Sequence, residues 1–558
     1  MESSRWIAAV ASIWIQCSCG ASYAFGIYSP LLKSSQNYDQ STLDLISVFK
    51  DIGANAGILS GILYTSTANN RRHQSNSCLY GPWVVHAAGA IQCFIGYYFI
   101  WLAIIGAIPR QEVPVMCLFM FLAAHAQTFF NTANVVTAVQ NFPEYSGTIV
   151  GIMKGFLGLS GAVLIQVYQT LFQGKPSTFL LLLALLPPIL SIVLMWFVRV
   201  YQVPNRDEKE KKYLNGFSLI SMVVAAYLMF LIILKNTVSL SPWAHALSLV
   251  VLLVLLSSPI TIAVKAHEED LLRSSQTLSS LNTPLIKGPN SFNSEKSAVE
   301  NPRDCPNVPT NEHQKPNSED TLHVEELNLF QAMRTMNFWL LFVAMLCGMG
   351  SGLATINNIS QIGESLGYTS VQRSTLVSLW SIWNFLGRFG AGYVSDTLMH
   401  RLGWARPLFM TLTLATMAGG HLIIGSGFPG NLYVGSVLVG VCYGSQWSLM
   451  PTITSEIFGV PHMGTIFNTI AVASPVGSSI LSVRVIGYIY DKEASSEGNS
   501  CSGTHCFMLS FFILASVSLF GFLVALVLFI KTRGLYRILI LRRLRNSARR
   551  TSMYIVGR

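Results

Sequence analysis

Residues 384–396 read NFLGRFGAGYVSD, and they continue an apolar run, STLVSLWSIW. Hydropathy predicts a helix here, yet the stretch holds three glycines, an arginine and an aspartate. Glycine inside a helix costs about 1 kcal/mol against alanine. A charge at the centre of a membrane helix costs about 2.5–3.5 kcal/mol on insertion scales. Small residues are kept where two helix backbones must pass closely. Gly387, Gly390 and Gly392 are therefore expected to form a sliding surface. Asp396 is expected at the helix end, paired with a basic residue of the following loop, Arg401 or Arg406, or with a neighbouring helix N-terminus. Together with Arg388 these residues predict a gate that holds one state of a cycle and breaks in the other.

Working outward, the 558 residues are 51% hydrophobic and 11% charged, with a mean hydropathy of +0.47. A soluble chain carries about a quarter charged residues, so this composition predicts a multispanning membrane protein. The net charge of +10 is concentrated at the end, where nine basic residues and no acid follow from Lys531. A basic block after an apolar run is a cytoplasmic juxtamembrane segment facing anionic lipid, and nucleic acid is not an expected partner. Most of the ten cysteines lie in apolar runs, as Cys17, Cys93 and Cys347 do. Cys501 and Cys506 form a close pair in a polar loop and bridge if that loop meets an oxidising compartment.

Apolar runs of about 20 residues, enough to cross a bilayer, recur at 6–28, 42–65, 82–107, 113–140, 147–172, 178–200, 214–234 and 243–265. They resume at 337–360, 373–396, 405–425, 431–453, 463–487 and 507–530. The expectation is an all-α polytopic protein of about fourteen spans. Residues 266–329, rich in Ser, Asn, Pro and Glu, bury too little apolar area to fold and are expected to be disordered. They end in EELNLFQAMRT, where Leu327, Phe330 and Met333 fall at helical spacing and predict a short helix on the membrane surface. Lys and Arg gather in the even-numbered loops, with Arg71, Arg72, Arg199, Arg206, Lys265, Arg273, Arg401 and Arg406 among them. That bias places both termini and the long loop in the cytoplasm.

The chain also resembles itself. At an offset of 333, Arg5-Trp6 falls opposite Phe338-Trp339, Ser41-Thr42-Leu43 opposite Ser374-Thr375-Leu376, and Gly57 opposite Gly390. At an offset of 317, Gly147-Thr148-Ile149 matches Gly464-Thr465-Ile466. The reading is an N-terminal six-helix bundle over 1–200, two inserted spans over 201–265, the polar loop at 266–329, a second six-helix bundle over 330–531 and a basic tail at 532–558. Two parallel halves joined by a cytoplasmic loop are the pattern of alternating-access transporters, with the substrate held at mid-membrane between them.

GAGYVSD followed by Arg401, Gly403 and Arg406 resembles the Gly-x-x-x-Asp…Arg-x-Gly-x-Arg signature of the major facilitator superfamily, with a longer spacing after Asp396. RWIAAVASIWIQCSCGASYAFGIYSPLLK, FKDIGANAGILSGILY and TSEIFGVPHMGTIFNTIAVASPVGS resemble the plant nodulin-like branch of that superfamily, the nuclear-fusion-defective-4-like proteins. The resemblance covers nearly all of the chain outside the polar loop and tail. It implies an α-helical transporter with no metal or organic cofactor, acting on a small-molecule substrate, and a monomer is expected. Some relatives resemble carriers of monocarboxylates or oxalate. One departure stands out: at offset 333, Leu63 occupies the position of Asp396, so any charged gate is one-sided. In superfamily members the first and fourth helices of each half line the cavity. By that resemblance Gln16, Tyr23, Asn131 and Asn134 line one side, and Asn357, Asn358, Tyr443, Gln446 and Trp447 the other.

Ionisable residues inside spans need a reason. Lys50, Asp51, His125, Lys154 and Arg388 are such residues. Lys50 and Asp51 are sequence neighbours on different helix faces, so each is expected to find its partner on another helix. Lys154 or Lys50 is expected to attract an anionic substrate, and Asp51 or His125 to carry a coupled proton. Against this stands a structural role for each, with Lys50 and Asp51 locking helices together and His125 hydrogen-bonded in the bundle. No nucleotide-binding Gly-x-x-x-x-Gly-Lys-Ser/Thr loop and no metal-ligand spacing occurs, so neither ATP nor a cofactor is expected. The expected activity is proton-coupled secondary transport of a small organic, monocarboxylate-like anion. The competing reading is a membrane scaffold or transceptor acting through its cytoplasmic loop and tail.

Overall fold

The computed structural model describes residues 4–69, 81–172, 176–201, 210–238, 241–281, 326–496 and 501–556. Among them the regular structure is helical. The first half comprises α1 (Arg5–Ser18), α2 (Phe25–Gln36), α3 (Gln40–Asn55), α4 (Ile58–Asn69), α5 (Pro82–Ile104), α6 (Val113–Asn141), α7 (Ser146–Phe172) and α8 (Pro176–Leu194). An inserted group follows, with α9 (Glu210–Thr237), α10 (Pro242–Ser257) and α11 (Pro259–Leu281). A short α12 (Leu329–Met333) precedes α13 (Met336–Ser365), α14 (Ser370–Leu402), α15 (Arg406–Ser426) and α16 (Asn431–Phe458). Then come α17 (Met463–Ala471), α18 (Ala473–Ser478), a π-helical turn at Ser479–Gly487, α19 (Tyr488–Ser496) and α20 (His505–Val556).

Local sequence sets these boundaries. Ser4, Asp39, Thr335 and Thr369 each cap a helix by accepting a backbone N–H of its first turn, which satisfies a donor the helix leaves open. Gly403 and Gly427 end α14 and α15 in the left-handed conformation, which favours glycine. Eleven helices among the described residues are long and apolar enough to cross a membrane. The other three expected spans are helical too. The span at 5–36 is broken by a 3-10 turn at Ala21–Ala24, and those at 370–402 and 431–458 carry more polar residues. A side chain at Gly20 would place its Cβ 1.7 Å from Ser160 Oγ, so the first break is packed against α7. Broken helices survive at membrane depth when their free backbone groups are buried in protein or line a cavity.

Three sequence expectations change. The polar segment is helical as far as Leu281, because Ala266 is buried and Asp270 accepts a hydrogen bond from Trp6 Nε1 at 3.0 Å. Residues 282–325 lie outside the described residues. The surface helix before α13 is one turn, capped by Asn328 and Gln331, with Phe330 exposed. The basic tail begins inside an unbroken helix, since α20 runs on to Val556. The polar-loop pair Cys501 and Cys506 is joined as a disulfide.

The inserted helices explain an asymmetry in the repeat. They cover α1, where Arg5 Nη1 donates to Glu210 Oε2 at 3.1 Å and Trp6 is buried. In the second half the matching positions have no such cover: Phe338 packs inward and Trp339 is 46% exposed. The buried Glu210 balances the charge of Arg5, and removing either partner would strand the other.

Candidate functional site

The two halves meet along two seams. One joins α7 to α14, the other α4 to α17. α7 carries glycines at 147, 151, 155 and 158, nearly one per turn, and is largely buried. Of the three glycines expected on α14 to form the sliding surface, only Gly392 lies in the seam. A Cβ there would sit 2.2 Å from Gly147 O and 2.9 Å from Gly151 Cα. Gly387 instead packs inside its own half, where a Cβ would sit 2.0 Å from Val441 O, and Gly390 faces open space. The reason is angular. At 100° per residue, positions 387 and 392 point about 140° apart on the helix, so they cannot share one neighbour.

Asp396 and Arg406 form the latch at the end of this seam. Arg406 Nη2 is ion-paired with Asp396 Oδ1, and Arg406 Nε donates to both Glu456 carboxylate oxygens at 2.9 Å. Arg406 Nη1 donates to Ser395 Oγ at 2.7 Å. Tyr536, from α20, donates to Glu456 Oε2 at 2.8 Å. The bonds that cross between halves are different ones. Gly147 N donates to Asp396 Oδ1 at 3.3 Å, Thr148 N donates to Asp396 Oδ2, and Arg406 Nη2 reaches Ser146 Oγ at 3.4 Å. Asp396 thus sits on the N-terminus of α7, where free N–H groups and the helix dipole favour a carboxylate. Arg401, the other loop cation expected in the gate, is exposed and stands outside this network. Glu456 gives no signal in the sequence, because it falls three residues beyond the apolar run at 431–453; α16 continues to Phe458 and carries it into the bundle.

About 12 Å further along α7, at 1.5 Å per residue, lies Lys154, 1% exposed. Its ammonium faces two rings of the opposite half, Trp447 at 5.0 Å and Phe467 at 5.4 Å. No carboxylate pairs with it among the described residues. Arg388, expected at the gate, lies eight residues from Asp396 and joins Lys154 instead. Its guanidinium donates to Lys154 O at 3.0 Å and to Asn384 Oδ1 at 2.9 Å, and stands 5.7 Å from the Trp447 ring centre. Two cations, one from each half, therefore share one indole.

The first half contributes further polar groups. Gln16 Nε2 donates to Asn131 Oδ1 at 3.4 Å, and Cys19 Sγ contacts Gln16 Oε1 at 3.3 Å. Asn134 is fully buried with neither amide atom hydrogen-bonded. In the second half, Gln446 Oε1, Trp447 Nε1 and Ser448 Oγ are buried without partners. Tyr443 is buried against Trp380 and Trp447. Buried polar atoms without partners are uncommon in proteins, and this run of them falls on the helices expected to line a cavity. Asn357 Nδ2 donates to Ser478 Oγ at 3.5 Å and Asn358 Nδ2 to Ser482 Oγ at 2.8 Å, on α18 and the π-helical turn that follows it.

Among the described residues, Lys50 and Asp51 find no charged partner on another helix. They pair with each other, Nζ to Oδ1 at 3.2 Å, with Lys50 Nζ also 4.8 Å from the Phe25 ring centre. The lysine stem is long enough to fold back along its own helix, which overrides the divergence of the two Cβ vectors. His125 bridges two helices. Its Nε2 meets Ala56 O at 3.1 Å and its Nδ1 meets Gln92 Oε1 at 2.8 Å. The backbone carbonyl only accepts, so Nε2 donates to Ala56, and the orientation of the Gln92 amide sets whether Nδ1 donates or accepts. Ala56 lies at the break between α3 and α4, so His125 satisfies a carbonyl at the kink of this span.

Two helical halves that meet through glycine seams, with cations buried between them and a charged latch at one end, give the chain the major facilitator fold. The major facilitator proton:xylose symporter XylE, solved with 6-bromo-6-deoxy-D-glucose, shares this fold with a TM-score of 0.53 over 93% of this chain and 94% of that chain, at 12% identity. Residues 5–264 match the family described as Nodulin-like, and residues 321–538 match that described as NFD4, C-terminal domain. The chain belongs to this nodulin-like, NFD4-type family of integral membrane proteins. It is 27% identical to Protein NUCLEAR FUSION DEFECTIVE 4 of Arabidopsis thaliana, across 95% of this chain and 89% of that one. A 30% identical stretch, 29% of this chain, matches the probable transporter MCH1 of Yarrowia lipolytica and spans 36% of the length of that protein.

Proposed function

We propose that the chain carries a small organic anion, monocarboxylate-like, together with protons by alternating access. Lys154 is the observation that carries this reading. An ammonium buried in a membrane protein is costly unless paired. Cation–π contact with Trp447 and Phe467 offsets part of that cost, but an ammonium offers three hydrogen-bond donors and rings accept them poorly. A carboxylate entering between Lys154 and Arg388 would supply both charge and acceptors. A neutral solute would supply only the acceptors.

The loop charge bias puts the latch end in the cytoplasm. With the bonds of Asp396 to Gly147 and Thr148 made, the state described is closed at that end. Protons would be carried by Asp51, paired with Lys50, or by His125, whose ring holds the kink at Ala56. The name of XylE, a proton symporter, and the MCH1 match support coupled transport in general.

The test is uptake into proteoliposomes under an imposed pH gradient, across a broad panel of organic acids. Accumulation should depend on the gradient, and Asp51→Asn should weaken that dependence. The reading fails if no acid is taken up in response to the gradient and Asp51→Asn changes nothing.

A further inference from the structure

The second seam answers a question raised by Leu63. The first half lacks the latch acid, yet α4 and α17 are held as closely as α7 and α14. A Cβ at Gly61 would sit 2.5 Å from Thr465 Cα, and one at Gly57 would sit 2.5 Å from Asn468 Oδ1. The side-chain bonds seen across this seam among the described residues are neutral. Asn468 Nδ2 donates to Thr132 Oγ1 at 2.7 Å and lies 3.4 Å from Ser60 Oγ. Ser60 Oγ and Thr132 Oγ1 are 2.7 Å apart, and Thr65 Oγ1 meets Thr465 Oγ1 at 3.2 Å. Ser60, Thr132 and Asn468 are all at most 3% exposed.

The residue before Asn468 is Phe467, whose ring covers the Lys154 ammonium at 5.4 Å. Adjacent residues on one short helix cannot move independently. We propose that Phe467 and Asn468 act as one gating unit, in which Asn468 pins α17 to the first half through Thr132 and Ser60 while Phe467 closes the inner side of the Lys154 site. When the pin releases, α17 moves off and the ring leaves the ammonium, so the site opens inward only as the seam parts. An uncharged pin suits this place. A carboxylate here would lie near Lys154 and compete with an anionic ligand for it, whereas an amide holds the seam without that competition. Asn468 is a positioning residue: it contacts the opposite half, and the ligand-facing group is Phe467.

This inference rests on the alternating-access reading, but its first test needs no transport. Thr65→Cys and Thr465→Cys in the full chain place two thiols where oxygens now lie 3.2 Å apart, and oxidation in detergent reads the closed population as crosslinked protein. In this background Asn468→Ala should shift the closed–open equilibrium about sevenfold toward open, the size supported by two hydrogen bonds inside a membrane protein, and so lower the crosslinking rate. Thr132→Val, nearly the same shape, should lower it in the same direction and guards against a folding defect in the first variant. Phe467→Ala should leave crosslinking unchanged while weakening substrate-dependent protection of Lys154 from an amine-reactive reagent. An unchanged crosslinking rate in both Asn468→Ala and Thr132→Val overturns the pin, whatever uptake assays show. A fall in crosslinking with no organic-acid uptake would leave the pin standing and count against the substrate reading alone.

Discussion

Replacing Gly392 with alanine should unlatch the inner gate without touching a charge. The new Cβ would lie 2.2 Å from Gly147 O, a backbone oxygen of the other half that cannot rotate aside. Ordinary carbon–oxygen contact requires the seam to open by about 1 Å. The Gly147 N–Asp396 bond starts at 3.3 Å and the Arg406–Ser146 bond at 3.4 Å, so both then exceed hydrogen-bond range. Each involves a charged group, and such bonds are worth about 1.5–3 kcal/mol. Taking the lower figure for both gives about 3 kcal/mol, or roughly a 100-fold shift toward the open latch. The Asp396–Arg406 pair lies wholly within the second half and survives. The assay is a single cysteine at Thr148, which is 3% exposed, labelled by an impermeant maleimide from the latch side of vesicles. Its labelling rate should rise about 100-fold in Gly392→Ala. A change under threefold would refute the view that backbone contact at Gly392 sets the closed state.

Three further outcomes follow from the same geometry. Lys154→Gln should abolish anion uptake, whereas Lys154→Arg should keep part of it, because charge rather than shape is what the site supplies; initial uptake rates distinguish them. Glu210→Ala should destabilise the detergent-solubilised protein by about 3 kcal/mol, the lower end for stranding a buried partner, since Asp270 stays 3.7 Å from Arg5; adding Arg5→Ala should recover much of the loss in thermal unfolding. Deleting 282–320 should leave uptake within twofold of the parent if the chain is a transporter, while a scaffold working through that segment would lose its cellular effect.

How much of this is legible in the sequence depends on the reach of each signal. Helix number and type rest on long apolar runs, and those are read directly. Asp396 and Arg406 are legible because a charge in an apolar run demands a partner, and the loop behind it offers few. Which glycine faces the seam is not legible, because Gly387, Gly390 and Gly392 differ only by rotation about the helix axis. Arg388 is misassigned for a similar reason. Distance along the chain from Asp396 is eight residues, but the depth that this implies, about 12 Å, places it level with Lys154 and not with the latch. The Lys50–Asp51 pair fails because Cβ directions say little about where a flexible ammonium ends. Asn468 gives no sequence signal at all, since an asparagine in a helix reads as ordinary interhelical hydrogen bonding; only the contact with Thr132 distinguishes it.

The inserted helices bear on how the halves can move. α9 packs beside both α7 and α14, at the seam that must part. Its bonds to the two halves are unequal. Toward the first half, Glu210 pairs with Arg5, Lys235 donates to Gln166 and to Gln169 at 2.6 Å, and in the same group Trp14 donates to Leu256 O at 2.7 Å and Trp6 to Asp270. Toward the second half, the side-chain hydrogen bond seen among the described residues is Asn236 Nδ2 to Thr375 Oγ1 at 2.9 Å. A rigid-body motion of the halves would break the smaller set of contacts first, so the insertion would travel with the first half. Asn236 and Thr375 lie at the end opposite the latch. Opening the latch and closing the other end would slide α14 along α9 there and exchange this one bond, while leaving the buried Arg5 pair intact. The insertion therefore adds mass and a buried ion pair to one half without tying the two together, which is what a rocking mechanism requires of it.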